Sequence, residues 1–193
     1  MNDQEVLALF QEISVIKKGH FKLSSGRHSD IYLQCAILQQ YPEFHARVLQ
    51  SIADSLKPFK PTVIVGAAVG GITSSYELAR LMGARSVFAE RVEGSLKLRR
   101  GFELIPEDRV IVIEDVVTTA KTTLEIIDLI KVYGLEPKAV ASIVDRRAAP
   151  TGINYPFFSA VQVKAETWNP EECPLCEKML PIDEPGSRRL HTP

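Results

Sequence analysis

Cysteine is scarce in this chain: three residues among 193. An odd, small number argues against a disulfide framework and for a reducing compartment, so the cytoplasm is the expected location. Net charge is nearly absent, at −1. No global field therefore draws the chain to nucleic acid or to an anionic membrane, and neither is expected as a partner. No apolar run approaches the roughly 20 residues that span a bilayer. The opening "MNDQEVLALFQEI" is acidic and amphipathic, with neither a basic start nor an apolar stretch, so it does not read as a secretory signal. Internal repeats and low-complexity tracts are lacking too. A chain of 193 residues with 45% hydrophobic content can bury a core without staples, and one domain is expected over 1–193.

Alternating strand and helix patterns fill the middle of the chain. Short β-branched runs occur at "TVIVG", "SVFAE", "RVIVIED" and "KAVASIVD". Helical patterns stand between them at 72–82 and 122–133, each closed by a glycine, Gly83 and Gly134. That order predicts an α/β fold, a mostly parallel Rossmann-like sheet flanked by helices. Helices are also expected over 3–13 and 43–56. Segments 1–60 and 157–180 fall outside the repeat and are expected to form a small cap or hood. Residues 183–193 read as a disordered tail.

In such sheets ligands bind at the carboxyl ends of the strands. Gly66, Asp115 and Asp145 end three strands, so their loops should meet at one cleft. The richest of them lies in "VIVIEDVVTTAKTT", residues 110–123. Backbone amides of residues 118–122 would open a helix, and a helix N-terminus offers free N–H donors and a positive dipole end to an anion. The hydroxyls of Thr118, Thr119, Thr122 and Thr123 add donors. Glu114 and Asp115 would repel a phosphate, unless the same ligand also carries hydroxyl groups that need acceptors. A ribose 5-phosphate meets both requirements. A strand followed by a threonine-capped helix would explain isolated threonines, but not two adjacent acids at a buried strand end.

A second turn, "VGAAVGGITS" at 65–74, nearly matches a nucleotide-triphosphate loop, but Ile72 stands where that loop needs lysine. Its amides could still cradle a phosphate group. Basic residues Arg91, Lys97, Arg99 and Arg100 flank the turn-forming "EGS", which suggests a hairpin.

Residues 110–122 resemble the phosphoribosyl-pyrophosphate signature of the type I phosphoribosyltransferases. "EDVVTT" resembles the orotate branch, as do "GHFKLSSGRHSDIY" (19–32) and "SIVDRRA" (142–148). The resemblance covers about 19–148. It implies transfer of a phosphoribosyl group from phosphoribosyl pyrophosphate to orotate, in pyrimidine nucleotide biosynthesis. It implies that Glu114 and Asp115 act on the ribose, both in binding and in stabilising the cationic sugar. Val116, Val117, Thr118, Thr119, Ala120, Lys121 and Thr122 would line the phosphate. Ala67, Ala68, Gly70 and Gly71 would hold pyrophosphate, with Arg91, Lys97 and Arg100 neutralising it, in this family usually across a dimer interface. Thr118, Arg146, Lys22 and Ser24 would take the base, Arg146 gripping its carboxylate. An Arg–Asp surface pair is the plain alternative for Arg146. Magnesium is expected to arrive with the substrate, and no protein cage for it is visible.

The family's turn usually has glycine where Ala120 and Lys121 stand here, and its common lysine-x-x-lysine-x-histidine loop is replaced by "KLRRGF". A non-glycine residue forced to positive φ costs about 1 kcal/mol or more. Two rivals stay open: another base, or a sugar-phosphate-binding regulator without turnover. In the tail, "CPLC" (173–176) is one cysteine pair, whereas tetrahedral zinc needs four ligands. His191 or a neighbouring chain would have to complete such a set, so the pair is read as a structural or thiol element and no metal ligands are assigned. His20 and His28 read as surface or capping residues.

Overall fold

The computed structural model describes residues 1–23 and 25–185. In chain order the elements are α1 (Asp3–Glu12), β1 (Ile16–Lys22), β2 (His28–Leu33), α2 (Cys35–Gln39), α3 (Pro42–Leu56), β3 (Val63–Ala67), α4 (Gly70–Met82), β4 (Arg85–Val92), β5 (Ser95–Leu98), β6 (Val110–Val117), α5 (Lys121–Val132), β7 (Ala139–Asp145), β8 (Phe157–Gln162), β9 (Thr167–Trp168) and α6 (Pro174–Glu177).

Six strands form the main sheet in the order β5-β4-β3-β6-β7-β8. All its pairings are parallel except β4 with β5, which are joined by a tight turn at Glu93 and Gly94. Both turn residues have positive φ, 49° and 84°, as a two-residue hairpin matched to strand twist requires. The expected α/β architecture is therefore present, and so is the hairpin.

The central strands are apolar on both faces because both faces are covered. Ile64, Ile111 and Ile113 point to one side and pack with α1 residues Val6 and Phe10 and α3 residues Leu49 and Ile52. Val63, Val65, Val110 and Val112 point to the other and meet Ile126, Ile127 and Ile130 of α5. Local signals place the helices. Asn2 and Glu5 form a reciprocal capping box that starts α1, with bonds of 2.8 and 3.0 Å. Pro42 sits in the first turn of α3, and Gly83 and Gly134 stop α4 and α5.

A separate three-stranded sheet, β1-β2-β9, forms the hood, antiparallel throughout. It is drawn from narrower segments than the sequence suggested. α1 and α3 bury their apolar faces on the main sheet, and 157–162 is that sheet's edge strand β8. An amphipathic pattern shows that a helix has a face to cover, but not which element covers it. The expectation of a disordered tail lies outside the described residues from 186 onward.

Candidate active site

Chain direction fixes where the site must be. From β3 the chain passes through α4 to β4 on one side, whereas β6, its other neighbour, leads through α5 to β7 on the opposite side. The strand order reverses between β3 and β6, and a crevice opens beyond the carboxyl ends of such a pair. Residues 67–71 and 114–123 occupy that position, and Arg146 begins the next loop along.

Glu114 and residues 116–123 line a concavity of about 60 Å³. Thr118 and Thr119 are exposed in the turn, and Lys121 opens α5. The first amides of α5 have no partner within the helix, so donors face the same hollow as the threonine hydroxyls. Ala120 precedes the helix with φ 60° and ψ 15°, a left-handed conformation that glycine adopts more readily. Of the two positions, Ala120 is the one with positive φ, whereas Lys121 is the first residue of α5.

The two acids differ. Glu114 is buried, and its Oε1 accepts the Thr123 hydroxyl at 3.1 Å. Burial pushes its carboxyl up to about 7; the Thr123 bond opposes the rise, and Asp115 and Glu125 add to it. Asp115 is also raised by burial, against bonds from backbone amides including Val116 N at 2.9 Å. Among the described residues neither acid has a cationic partner.

Gly70 explains how the two loops fit together. A Cβ at Gly70 would lie 2.4 Å from Asp115 Oδ2, a distance that real side chains do not tolerate. A Cβ at Gly66 would stand 2.3 Å from the Gly71 carbonyl oxygen. Gln39 Nε2 donates to the Gly70 carbonyl at 2.7 Å and braces this turn from α2. The Ala68–Val69 peptide is cis. Gln39 carried no sequence signal, because its role depends on how α2 packs.

At the end of β7, two adjacent arginines have different environments. Arg147 holds Asp145 through two side-chain bonds, 2.9 and 2.8 Å, and stacks over Phe157 at 3.7 Å. Burial pushes the Asp145 carboxyl up, but the Arg147 bonds outweigh it and leave it below the usual range. The plain Arg–Asp pair thus exists, but Arg147 makes it. Arg146 donates its backbone N–H to Val117 O at 2.8 Å, which sets it beside the end of β6. Its Nε is buried without a hydrogen-bond partner among the described residues. Burial lowers its pKa, opposed by the nearby Asp30 and Cys35. Cys35, beneath the site, directs its thiol toward the Asp115 carbonyl at 4.0 Å.

The remaining basic residues are spread out. Arg91 pairs with Glu125 of α5 at 2.5 Å, and Arg100 with Glu90 at 2.8 Å. Lys97 is exposed on β5, with no ion pair among the described residues. Lys22 Nζ is engaged by Glu184 at 3.1 Å. Ser24 lies outside the described residues. His20 and His28 are neither surface nor capping residues: both are buried, 5% and 6% exposed, with their ring nitrogens 3.0 Å apart.

Comparison with known proteins gives a consistent set of likenesses. Residues 38–175 match the model of the phosphoribosyl transferase domain. The orotate phosphoribosyltransferase of Caldanaerobacter subterraneus subsp. tengcongensis is 45% identical over 190 residues, covering 98% of this chain and all of that protein. That of Thermoanaerobacter sp. is 46% identical over the same coverage. Among solved structures, the orotate phosphoribosyltransferase from Aeropyrum pernix superposes with a TM-score of 0.71 over 82% of this chain and 93% of that one, at 19% identity. The adenine phosphoribosyl transferase from Trypanosoma brucei, solved with AMP, pyrophosphate and ribose-5-phosphate, gives 0.62 over 81% and 79%, at 17% identity, a likeness of fold.

Proposed function

This chain belongs to the phosphoribosyltransferase family, and on that footing we propose that it transfers the 5-phosphoribosyl group of phosphoribosyl pyrophosphate to orotate, yielding orotidine 5′-phosphate and pyrophosphate. The reaction serves pyrimidine nucleotide biosynthesis. The observation that carries the choice of base is Arg146. A buried guanidinium N–H without a partner is costly, and orotate brings a carboxylate that would satisfy it. Adenine and guanine bring none. Nearly full-length likeness to proteins named orotate phosphoribosyltransferase supports the same reading, and no feature favours a regulator without turnover.

Roles follow from position. The 5-phosphate takes the α5 amides and the hydroxyls of Thr118, Thr119 and Thr122, with Val116, Val117, Ala120 and Lys121 shaping the hollow. Glu114 and Asp115 accept bonds from the ribose hydroxyls. As pyrophosphate leaves C1, positive charge develops on the sugar, and the two acids stabilise it. Amides of Ala67, Ala68, Gly70 and Gly71 receive pyrophosphate. The negative charge of orotate lies on its carboxylate, so the ring nitrogen gives up its proton as its bond to C1 forms, and the departing pyrophosphate oxygens are the acceptor this proposal assigns to it. Thr118 and Arg146 position the base, and the hood segment with Lys22 and Ser24 closes over it.

Magnesium belongs to the same proposal as an ion carried in by the substrate. It prefers oxygen donors, and Glu114 and Asp115 supply those at the pocket. When bound, it would offset charge on the departing pyrophosphate. We further propose a cytoplasmic homodimer in which Lys97, with Arg91 and Arg100 once released from their acids, serves the partner's site. Mixing Asp115→Asn protein with Lys97→Ala protein should then restore turnover that neither has alone; mixtures as inactive as their components would refute shared sites.

The direct test is incubation with phosphoribosyl pyrophosphate, magnesium and a panel of bases, watching nucleotide and pyrophosphate together. Product with orotate alone is expected. Turnover of adenine or uracil in its place would overturn the assignment.

A further inference from the structure

Away from the pocket, four side chains converge in the hood. His20 follows the exposed run of β1, His28 starts β2, Cys173 immediately precedes α6 and Cys176 lies within it. One ligand atom from each, two nitrogens and two sulfurs, lies within 4.8 Å of every other. The measured edges are 3.0 Å between His20 Nε2 and His28 Nδ1, 3.5 Å from His20 Nε2 to Cys173 Sγ, 3.7 Å from His20 Nε2 to Cys176 Sγ, and 3.3 Å from His28 Nδ1 to Cys176 Sγ. A tetrahedron built on ordinary zinc–nitrogen and zinc–sulfur bonds has edges of about 3.3 Å between nitrogens and about 3.5 Å between nitrogen and sulfur. Four of the six edges match to within about 0.3 Å, and the other two, from Cys173 Sγ to His28 and to Cys176 Sγ, lie within 4.8 Å.

Orientation supports the same conclusion. His20 Nδ1 lies 2.9 Å from the Leu180 carbonyl oxygen, which can only accept. The ring proton therefore sits on Nδ1, and Nε2 turns a lone pair into the cluster. A carbonyl fixing the far nitrogen of a metal-binding histidine is the usual outer support of such sites. His20, His28 and Cys173 are buried, so the ligands are already withdrawn from water before any ion arrives.

We propose that His20, His28, Cys173 and Cys176 bind one zinc ion. Two thiolates and two imidazoles suit zinc, and four protein ligands close the coordination sphere, so the ion is structural rather than catalytic. Its purpose follows from the size of the hood. β9 has two residues and two paired positions with β2, so the sheet itself gives the C-terminal turn few contacts to hold it. Zinc would tie the β1–β2 hairpin to the C-terminal turn. That hairpin carries Lys22 and Arg27 on the two sides of its turn, and Arg27 donates to Thr167 and Asn169. The metal would thus set the segment proposed to close over the base.

Elemental analysis and native mass spectrometry of protein purified under reducing conditions, without added metal, should give one zinc per chain. Refolding the stripped protein with cobalt should produce intense visible bands of tetrahedral coordination, with thiolate charge transfer in the near ultraviolet. Cys176→Ser should lower zinc affinity by roughly a hundredfold or more. His28→Cys should keep the ion and strengthen the charge-transfer band, which makes it a readable variant should Cys176→Ser fold poorly. His191→Ala should bind as the parent does. A folded parent that takes no zinc, a cobalt spectrum without thiolate transitions, a Cys173–Cys176 disulfide in the freshly purified protein, or metal lost in His191→Ala would each overturn the proposal.

Discussion

The pocket at the end of β6 and the cluster in the hood are both collections of polar groups withdrawn from water, yet they were assembled in opposite ways. Glu114, Asp115 and the threonine turn come from one unbroken stretch of chain, set in place by a strand, a turn and a helix. The hood ligands come from the two ends of the chain, with His20 and Cys173 separated by 153 positions. Their chemistry differs as well. Among the described residues the pocket pairs neither acid with a cation, which suits a ligand that comes and goes. The hood brings lone pairs to one point, which suits an ion that stays. Local chain geometry suffices for the first; only the finished fold creates the second.

Substitutions can break or sharpen that contrast. The largest expected effect is on turnover. Asp115→Asn should cut kcat by roughly a hundred- to a thousandfold, because it removes charge felt chiefly as pyrophosphate departs. Substrate KM, zinc content and melting temperature should barely move. A rise in KM alone would break the assignment of Asp115 to the transition state.

Next comes Glu114→Gln, read through stability. The folded protein raises this carboxyl from 4.5 to about 7. Between those values the native state holds more protons than the unfolded chain, so stability declines as pH climbs through that window. Above it, the loss from this group is about 3 kcal/mol as an upper bound. Glutamine can still accept the Thr123 hydroxyl and has no charge to bury. Denaturant unfolding of the variant above neutral pH should show higher stability than the parent, with the decline flattened and activity lost. Equal slopes in both proteins would show that Glu114 does not carry this term.

The adjacent arginines give a finer test. Arg146→Ala should raise the KM for orotate by roughly ten- to a hundredfold, the scale of one charge-assisted contact, and leave stability nearly unchanged. Arg147→Ala should do the reverse, costing about 2 kcal/mol by stranding buried Asp145. Identical phenotypes would erase the distinction drawn between them. Smallest of all, Ala120→Gly should stabilise the protein by about 0.5 kcal/mol: relief of the left-handed conformation slightly exceeds the added chain entropy and the lost methyl burial. Thermal melts resolve a change of that size.

What could be read beforehand divides along the same line. The parallel sheet and the hollow at the end of β6 follow from period, punctuation and a contiguous motif, so they were legible. The Arg–Asp pair was expected at Arg146, but Asp145 and Arg147, two residues apart on one face of an extended segment, are the ones that make it. The partners of Arg91 and Arg100 were not legible, because Glu125 and Glu90 meet them only after the hairpin folds back. Nor were the hood histidines. Each looks ordinary within its own segment, and "CPLC" alone supplies half of a coordination sphere.

The missing side chain at Gly70 has a consequence for how this protein can change over time. Asp115 occupies the space that any larger residue at 70 would need, so two loops distant in sequence share one small volume. Neither position is free to drift alone. A methyl group at 70 would have to displace the Asp115 carboxylate, so the turn after β3 and the acid near the end of β6 constrain each other through that one volume.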